Sequence, residues 1–305
     1  MAMYNTGQTA ESSSIEAQLL DMRPKQTVPQ KLVVFARTKP LGAVSASIII
    51  LTILTAILSQ FIVPYDPLDL AHEPFIKPQP GALLGADELG RDVLSRIIYG
   101  ARVSMYVGLM SVIIGISLGT VIGILSAYVG GVVDLSIQRV VDALMAFPAI
   151  IMALGLTAAL GPSINNIVAA LVVILMPGAI RVIRSQVLSI KELDYTLAAQ
   201  AIGARPWRIM LRHIMPNVAA SYIVLSTITL GLAIIIEASL TFLGVGVSPD
   251  IPTWGGMLTE GAQKYIRTAW WLAVFPGLAI SIVVFSINFL GDALRDTLDP
   301  RLRGR

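Results

Sequence analysis

Hydrophobic and polar positions follow one another along this chain in long blocks rather than with the short period of a soluble fold. Six apolar blocks approach the roughly 20 residues that cross a bilayer, and each reads as one span. They cover Leu41–Val63, Val103–Tyr128, a third block that ends near Leu160, Ile164–Ile180, Val218–Leu243 and Ala269–Leu290. Pro148 predicts a kink in the third block, and Gly161-Pro162 turns the chain after it. Trp270 and Trp271 open the sixth span as an aromatic belt at the membrane surface would. Two polar interruptions are long, at 64–100 and 244–268. In the first, Asp87 predicts the cap of a short helix over Glu88–Tyr99. Its apolar face carries Leu89, Val93, Leu94, Ile97 and Ile98, opposite Arg91, Asp92 and Arg96, the pattern of a helix lying on the membrane.

The interruption at Leu193–Pro216 is different, because it is charged and has helix signals of its own. Asp194 is placed to cap a helix of good formers, Leu197, Ala198, Ala199, Gln200 and Ala201. Gly203 then stands where a left-handed residue would stop it. Pro206 suits the first turn of a second short helix that carries Arg208 and Arg212 and ends before Pro216. Two short helices joined at a glycine make a polar knob on a membrane domain. Such a knob is either a docking point for another protein or an ordinary basic loop.

Composition adds exclusions. The chain has 305 residues, 55% hydrophobic and only 13% charged, against roughly 25% charged in soluble domains. It contains no cysteine and only two histidines, His72 and His213, which excludes thiolate chemistry and a histidine-rich metal site. No lysine follows a glycine, so the chain has no phosphate loop of the Walker type. With no credible nucleophile–base pair, it is not expected to be an enzyme. A net charge of +3 gives no case for nucleic acid. Of 22 Lys and Arg, all but six fall before Leu41, at Arg139, within 181–213 or in the tail, which places both termini in the cytoplasm. The domain plan is a cytoplasmic tail at 1–40, with some helix around Ile15–Leu20, and a membrane domain at 41–305. The domain has external segments at 64–100 and 244–268 and a cytoplasmic loop at 181–216.

Within the spans, Ser111, Gly115, Gly119, Gly123 and Ala127 recur every four residues, a stripe that lets another helix come close. Glu237 is the one carboxylate deep in a span; it is either a structural residue or a proton site. Asn288 in the sixth span is helix glue or a pathway contact. No internal repeat supports an inverted-repeat carrier. A stand-alone proton-coupled carrier using Glu237 is the alternative from another class.

Ala198-Ala199, Gly203, Ile214 and Pro216 resemble the "EAA" loop of ABC importer permeases, although Leu197 stands where that motif often has glutamate. GADELGRDVLSRIIYGARVSMYVG at 85–108, DALMAFPAI at 142–150, EASLTFLGVGVSP at 237–249, PTWGGML at 252–258 and LGDALRDTLDPRLRG at 290–304 resemble one branch of those importers. That branch comprises the dipeptide, oligopeptide, glutathione and nickel permeases, and the likeness is to the second of their two permease subunits. The resemblance implies an all-α, six-span type I importer fold in a bacterial or archaeal cytoplasmic membrane. It also implies a related permease chain as heterodimer partner, two ABC ATPases that hold the ATP and Mg, and an extracytoplasmic solute-binding protein. By the same resemblance Leu197, Ala198, Ala199, Gly203, Ala204, Arg205, Trp207 and Arg208 couple to the ATPase. Pro148, Glu237 and Asn288 are candidates for pathway or gate, and Gly115, Gly119 and Gly123 for helix packing. A di- or oligopeptide is the expected substrate, with nickel chelates, glutathione, opines and oligosaccharides as alternatives within the branch.

Overall fold

A computed structural model describes residues 27–248 and 250–298. The helix expected around 15–20 and the end of the tail motif lie outside these residues. Contacts divide the chain into two units, 1–40 and 41–305. The first unit contains α1 (Val28–Thr38), which begins with a proline in its first turn and with the Thr27 N–H donating to the Gln30 side chain at 2.9 Å.

The regular elements among the second unit's described residues are all helices, joined by turns and loops that include two isolated β-bridges. Five helices are long and apolar enough to cross a membrane: α2 (Pro40–Ile62), α3 (Val93–Val129), α6 (Ile164–Lys191), α9 (Met215–Phe242, with the residues from Pro206) and α11 (Trp271–Leu298). The helices α4 (Gly131–Met145) and α5 (Ala149–Leu160) meet at 91° and together pass the same test of length and apolarity, which brings the count to six when the bent pair is taken as one span. Pro148 sits at this elbow as the residue before α5, where it supplies no N–H and cannot continue α4. What the sequence pattern shows as a kink is therefore a right-angled break.

The core of the bundle is the pairing of α3 with α6. Gly115, Gly119 and Gly123 face α6 at backbone distance. A methyl added at Gly119 would stand 2.6 Å from Ala179 Cβ and 2.8 Å from the Met176 carbonyl oxygen. At Gly123 it would stand 2.9 Å from the Ile180 carbonyl. The absent side chains let the two helix backbones approach, and dispersion contacts along the seam hold them together. The partner of the small-residue stripe is thus in the same chain.

The long polar interruption at 63–92 is folded, and it corrects three expectations. First, Asp87 caps no helix over 88–99. Its Oδ1 accepts the Leu89 and Arg91 N–H groups, both at 2.9 Å, and closes a tight loop in which Gly90 takes φ +86°. The helix starts at Val93, with Asp92 as its cap accepting from Ser95 N at 2.8 Å, and runs unbroken for 37 residues into the second span. Second, Arg91, Asp92 and Arg96 are buried rather than facing headgroups. Arg91 Nε lies 2.6 Å from Asp87 Oδ2, and Arg96 donates to the Pro67 carbonyl at 3.2 Å. Their desolvation is offset by these partners. Third, only Trp270 is surface-exposed. Trp271 is buried with Val93, Met257 and Leu272, and its Nε1–H donates to the Ala86 carbonyl at 3.1 Å. The helix α10 (Trp254–Lys264), capped by Thr253, completes this folded layer on one side of the bundle.

Candidate functional site

At the opposite ends of the long helices sits the segment 193–216. Leu193, not Asp194, precedes the helix α7 (Asp194–Ala201); Asp194 is its first residue and makes no capping bond. Thr196 does the anchoring instead. It is fully buried, and its hydroxyl donates to the Ile190 carbonyl at the end of α6, at 3.0 Å. The helix stops at Gly203 with φ +79°. The Gly203 N–H donates to the Gln200 carbonyl and the Ala204 N–H to the Ala199 carbonyl, the paired bonds of a Schellman motif, and Ala204 packs against the apolar cluster that contains Ala199.

After Arg205 the helix α8 (Pro206–Ile209) begins with proline, as its sequence signals. It does not end before Pro216. A π-helical turn, Met210–Ile214, leads straight into α9. Pro216 has no N–H for the Arg212 carbonyl and its ring would crowd that oxygen, so a wider turn there lets the helix pass through the proline. The knob is therefore continuous with the fifth span.

One apolar cluster joins the knob to the bundle. Ala199, Ile209 and Ile214 pack with Ile124 and Ala127 of α3, Ile183 and Val187 of α6, and Val218 of α9. Three spanning helices thus end on one small body. Its outward face is less polar than the sequence suggests. Leu197, Ile202 (85% exposed), Trp207 (60%) and Leu211 are open to the surroundings, beside exposed Ala198, Arg205 and Arg208. Leu197 is on this outer face; no carboxylate occupies that position.

Next to the knob, α4 crosses α6 and is held by charge. Arg184 of α6 donates through Nε to Asp134 Oδ1 at 2.6 Å and through Nη2 to the other oxygen, a two-point grip. Ser126 of α3 and Gln138 join the same cluster. Arg181 reaches Asp142 at 2.6 Å. Asp134 and Asp142 are two turns apart on α4, whereas Arg181 and Arg184 are one turn apart on α6, so the two arginines splay apart to reach their partners. Val141 is the sole buried residue among the 15 of α4, which leaves these pairs as its main attachment. Sequence reading missed them because partners lie 39 and 50 residues apart.

Past the elbow lies a cavity of about 520 Å³ lined by Pro148, Met145, α6 from Ile174 to Ala179 and α9 from Leu225 to Ser239; Thr229 and Ser239 are its only hydroxyl-bearing members. Pro148 thus borders an open space. Glu237 borders neither this cavity nor the larger one on the far side. It is buried between α3, α9 and α10, with Ser104 and Thr241 as the hydroxyls beside it, and Thr241 donates to its carbonyl at 3.1 Å. Its Oε2 has no partner among the described residues. Asn288 of α11 faces Gly231 of α9, where a methyl would stand 3.2 Å from its Oδ1; it lies at a helix contact. Among the described residues no group of His, Asp and Glu is arranged to hold a metal ion.

Comparison with known proteins agrees with this architecture. The chain is 39% identical over 264 residues to the glutathione transport system permease protein GsiD of Pectobacterium atrosepticum, covering 86% of this chain and 87% of that protein. It is 41% identical over 258 residues to a putative peptide transport system permease protein of Brucella suis, covering 84% and 86%. Against the di/tripeptide transport system permease protein DppC of Pseudomonas aeruginosa the identity is 38% over 277 residues, covering 88% and 90%. Residues 119–304 match the family described as "Binding-protein-dependent transport system inner membrane component". A multi-span helical bundle, a knob fused to three of its helices and this match together place the chain in that family, as an inner-membrane permease component of an ABC transporter.

Proposed function

We propose that this chain forms one half of the pathway of an ATP-driven importer of di- or oligopeptides. A related permease chain supplies the other half. Two ABC ATPases, which hold the ATP and Mg, dock on the knob side, and a solute-binding protein delivers substrate on the far side. Both termini then lie with the ATPases in the cytoplasm. Peptide is taken as substrate because the relatives' names include peptide and di/tripeptide transport. Glutathione, in another relative's name, is itself a small peptide.

The observation that carries this reading is the construction of the knob. A body that is only a loop has no need of a buried apolar root shared by α3, α6 and α9. A lever has that need, because a push on its surface must reach the spanning helices without being absorbed by local flexing. The exposed Leu197, Ile202, Trp207 and Leu211 give an ATPase groove an apolar face to grip, and Arg205 and Arg208 rim it. ATP then moves the gate by binding more tightly to one arrangement of the ATPases than to the other. The buried position of Glu237, away from both cavities, speaks for a structural role and against a proton carrier.

The test is Gly203→Val in the reconstituted complex. Its Cβ meets nothing within 4 Å, so no neighbour is pushed, yet φ +79° is hostile to a β-branched residue. Membrane insertion should survive, while uptake and substrate-stimulated ATPase fall together. Wild-type uptake by this variant, or uptake by the chain without ATPases, refutes the reading.

A further inference from the structure

We propose that the cavity of about 840 Å³ on the far side of the bundle receives both charged ends of a free peptide, Arg102 taking the carboxylate and Asp66 and Asp250 the ammonium. This rests on the reading of the chain as an importer of peptides. The cavity lies between the outer half of α3, the mouth of α6, and the segments that follow α2 and α9. Its volume is that of a small-ligand site. Arg102 is exposed and makes no ion pair among the described residues. Asp66 is oriented by its own turn, its Oδ1 accepting the Leu68 N–H at 2.9 Å, which leaves Oδ2 for a ligand. Asp250 Oδ2 accepts from Ser248 at 3.4 Å, a long bond that a ligand ammonium can outcompete. Tyr99 and Tyr106 add ring faces, and Tyr106 donates to Asn165 at 3.2 Å, tying α3 to the mouth of α6.

The contrast with the elbow cavity gives the arrangement its meaning. One apolar cluster reaches both spaces: Ile164 and Val247 border the outer cavity, and Ile174 and Ile236 the inner one. Among the described residues no charged side chain lines the inner cavity. A zwitterion moved there would lose water without gaining a counter-charge from this half of the pathway. The charged ends of the cargo are therefore recognised by this chain on the outer side of that apolar cluster.

The absence of cysteine makes a binding test direct. Leu68→Cys places a thiol on the cavity wall, and its labelling by a membrane-impermeant maleimide is followed in the intact complex in vesicles. Millimolar dialanine should slow labelling several-fold, whereas N-acetyl-dialanine amide should not. Arg102→Gln should raise the half-protecting concentration about tenfold or more, and Arg102→Lys should restore part of the protection. Equal protection by free and capped peptide overturns the proposal, as does protection that survives Arg102→Gln or is never seen. A labelling rate that follows phospholipid composition and ignores dialanine assigns Arg102 to a lipid phosphate, which also overturns it. The readout needs no ATP hydrolysis, so protection without ATP-driven uptake would reject the importer reading alone, and uptake without protection would reject this site alone.

Discussion

Replacing Gly119 with alanine is the smallest perturbation that tests how the bundle is held together. The added Cβ would lie 2.6 Å from Ala179 Cβ and 2.8 Å from the Met176 carbonyl oxygen. Carbon–carbon contacts are comfortable at about 3.5–4.0 Å, so α3 and α6 must part locally by roughly 1 Å. The obstructing atoms are backbone or the first side-chain carbon, and no flexible tip can swing aside. The strain should reach the upper part of the 1–3 kcal/mol range known for overpacking, roughly 2–3 kcal/mol. Removing a glycine from a helix returns at most about 1 kcal/mol. A net loss of roughly 1–2 kcal/mol remains for Gly119→Ala and more for Gly119→Val, whose γ carbons extend the clash toward Gly115 and Gly123. Thermal unfolding in detergent, followed by tryptophan fluorescence, should show the midpoint falling by a few degrees for alanine and further for valine. Gly155→Ala is the control, because a methyl there meets nothing within 4 Å. If Gly119→Ala and Gly155→Ala melt alike, the seam between α3 and α6 is looser than described and the stripe loses its explanation.

Other outcomes follow from the same geometry. Asp134→Asn breaks a half-buried, two-point pair and should cost about 1–3 kcal/mol, between the values for exposed and buried pairs; the exchange Asp134→Arg with Arg184→Asp should recover uptake that either change alone reduces. Ile202→Ser with Trp207→Ser removes the apolar tip of the knob without touching its buried root, so the permease should remain folded but release its ATPases on purification. Burial, with Glu88 adding repulsion, pushes the Glu260 carboxyl above its ordinary range, while Arg96, Arg91 and Lys264 pull it back. An acid raised in this way contributes its full stability below its unfolded value and loses it as pH climbs through the folded one. Wild type and Glu260→Gln should therefore melt together in acid, and the variant should gain on wild type toward neutral pH; parallel curves refute this. Trp271→Phe deletes the bond to the Ala86 carbonyl and should lower stability by about 1 kcal/mol or somewhat more, because that carbonyl stays buried.

What could be read in the sequence was whatever depends on neighbours along the chain. Span length, the four-residue stripe and the Gly203–Pro206 punctuation all are local, and the helices lie close to where those signals put them. The misplacements share a different cause. Asp87 looks like the cap and Asp92 like part of a polar face, and only the return of the chain past His72 and Pro67 decides that the first closes a loop and the second starts the helix. Arg91 and Arg96 look like a solvated face because the layer that buries them, Met257, Leu272 and Glu260, comes more than 150 residues later. Trp271 reads as a belt residue by its neighbour Trp270, although the two rings point to opposite environments. Pro216 signals a stop that a single wide turn bypasses. The grip of Arg184 on Asp134 had no local signal at all. Leu197 to Arg208, proposed above to dock, fall within one short segment, which is why the sequence could single them out as candidates; the charged outer cavity, assembled from four separate segments, had no such signal.

The shortness of α5 also bears on which way the elbow is turned. Twelve residues rise only about 18 Å, well under the roughly 30 Å of hydrocarbon, so with the Gly161 end of α5 at the membrane surface the break at Phe147-Pro148 falls at membrane depth. The last turn of α4 ends there with carbonyls that have no helical N–H to meet, and acyl chains offer them none. That side of the molecule must consequently be lined by water or sealed by protein, and the lipid annulus has to lie along the other flanks.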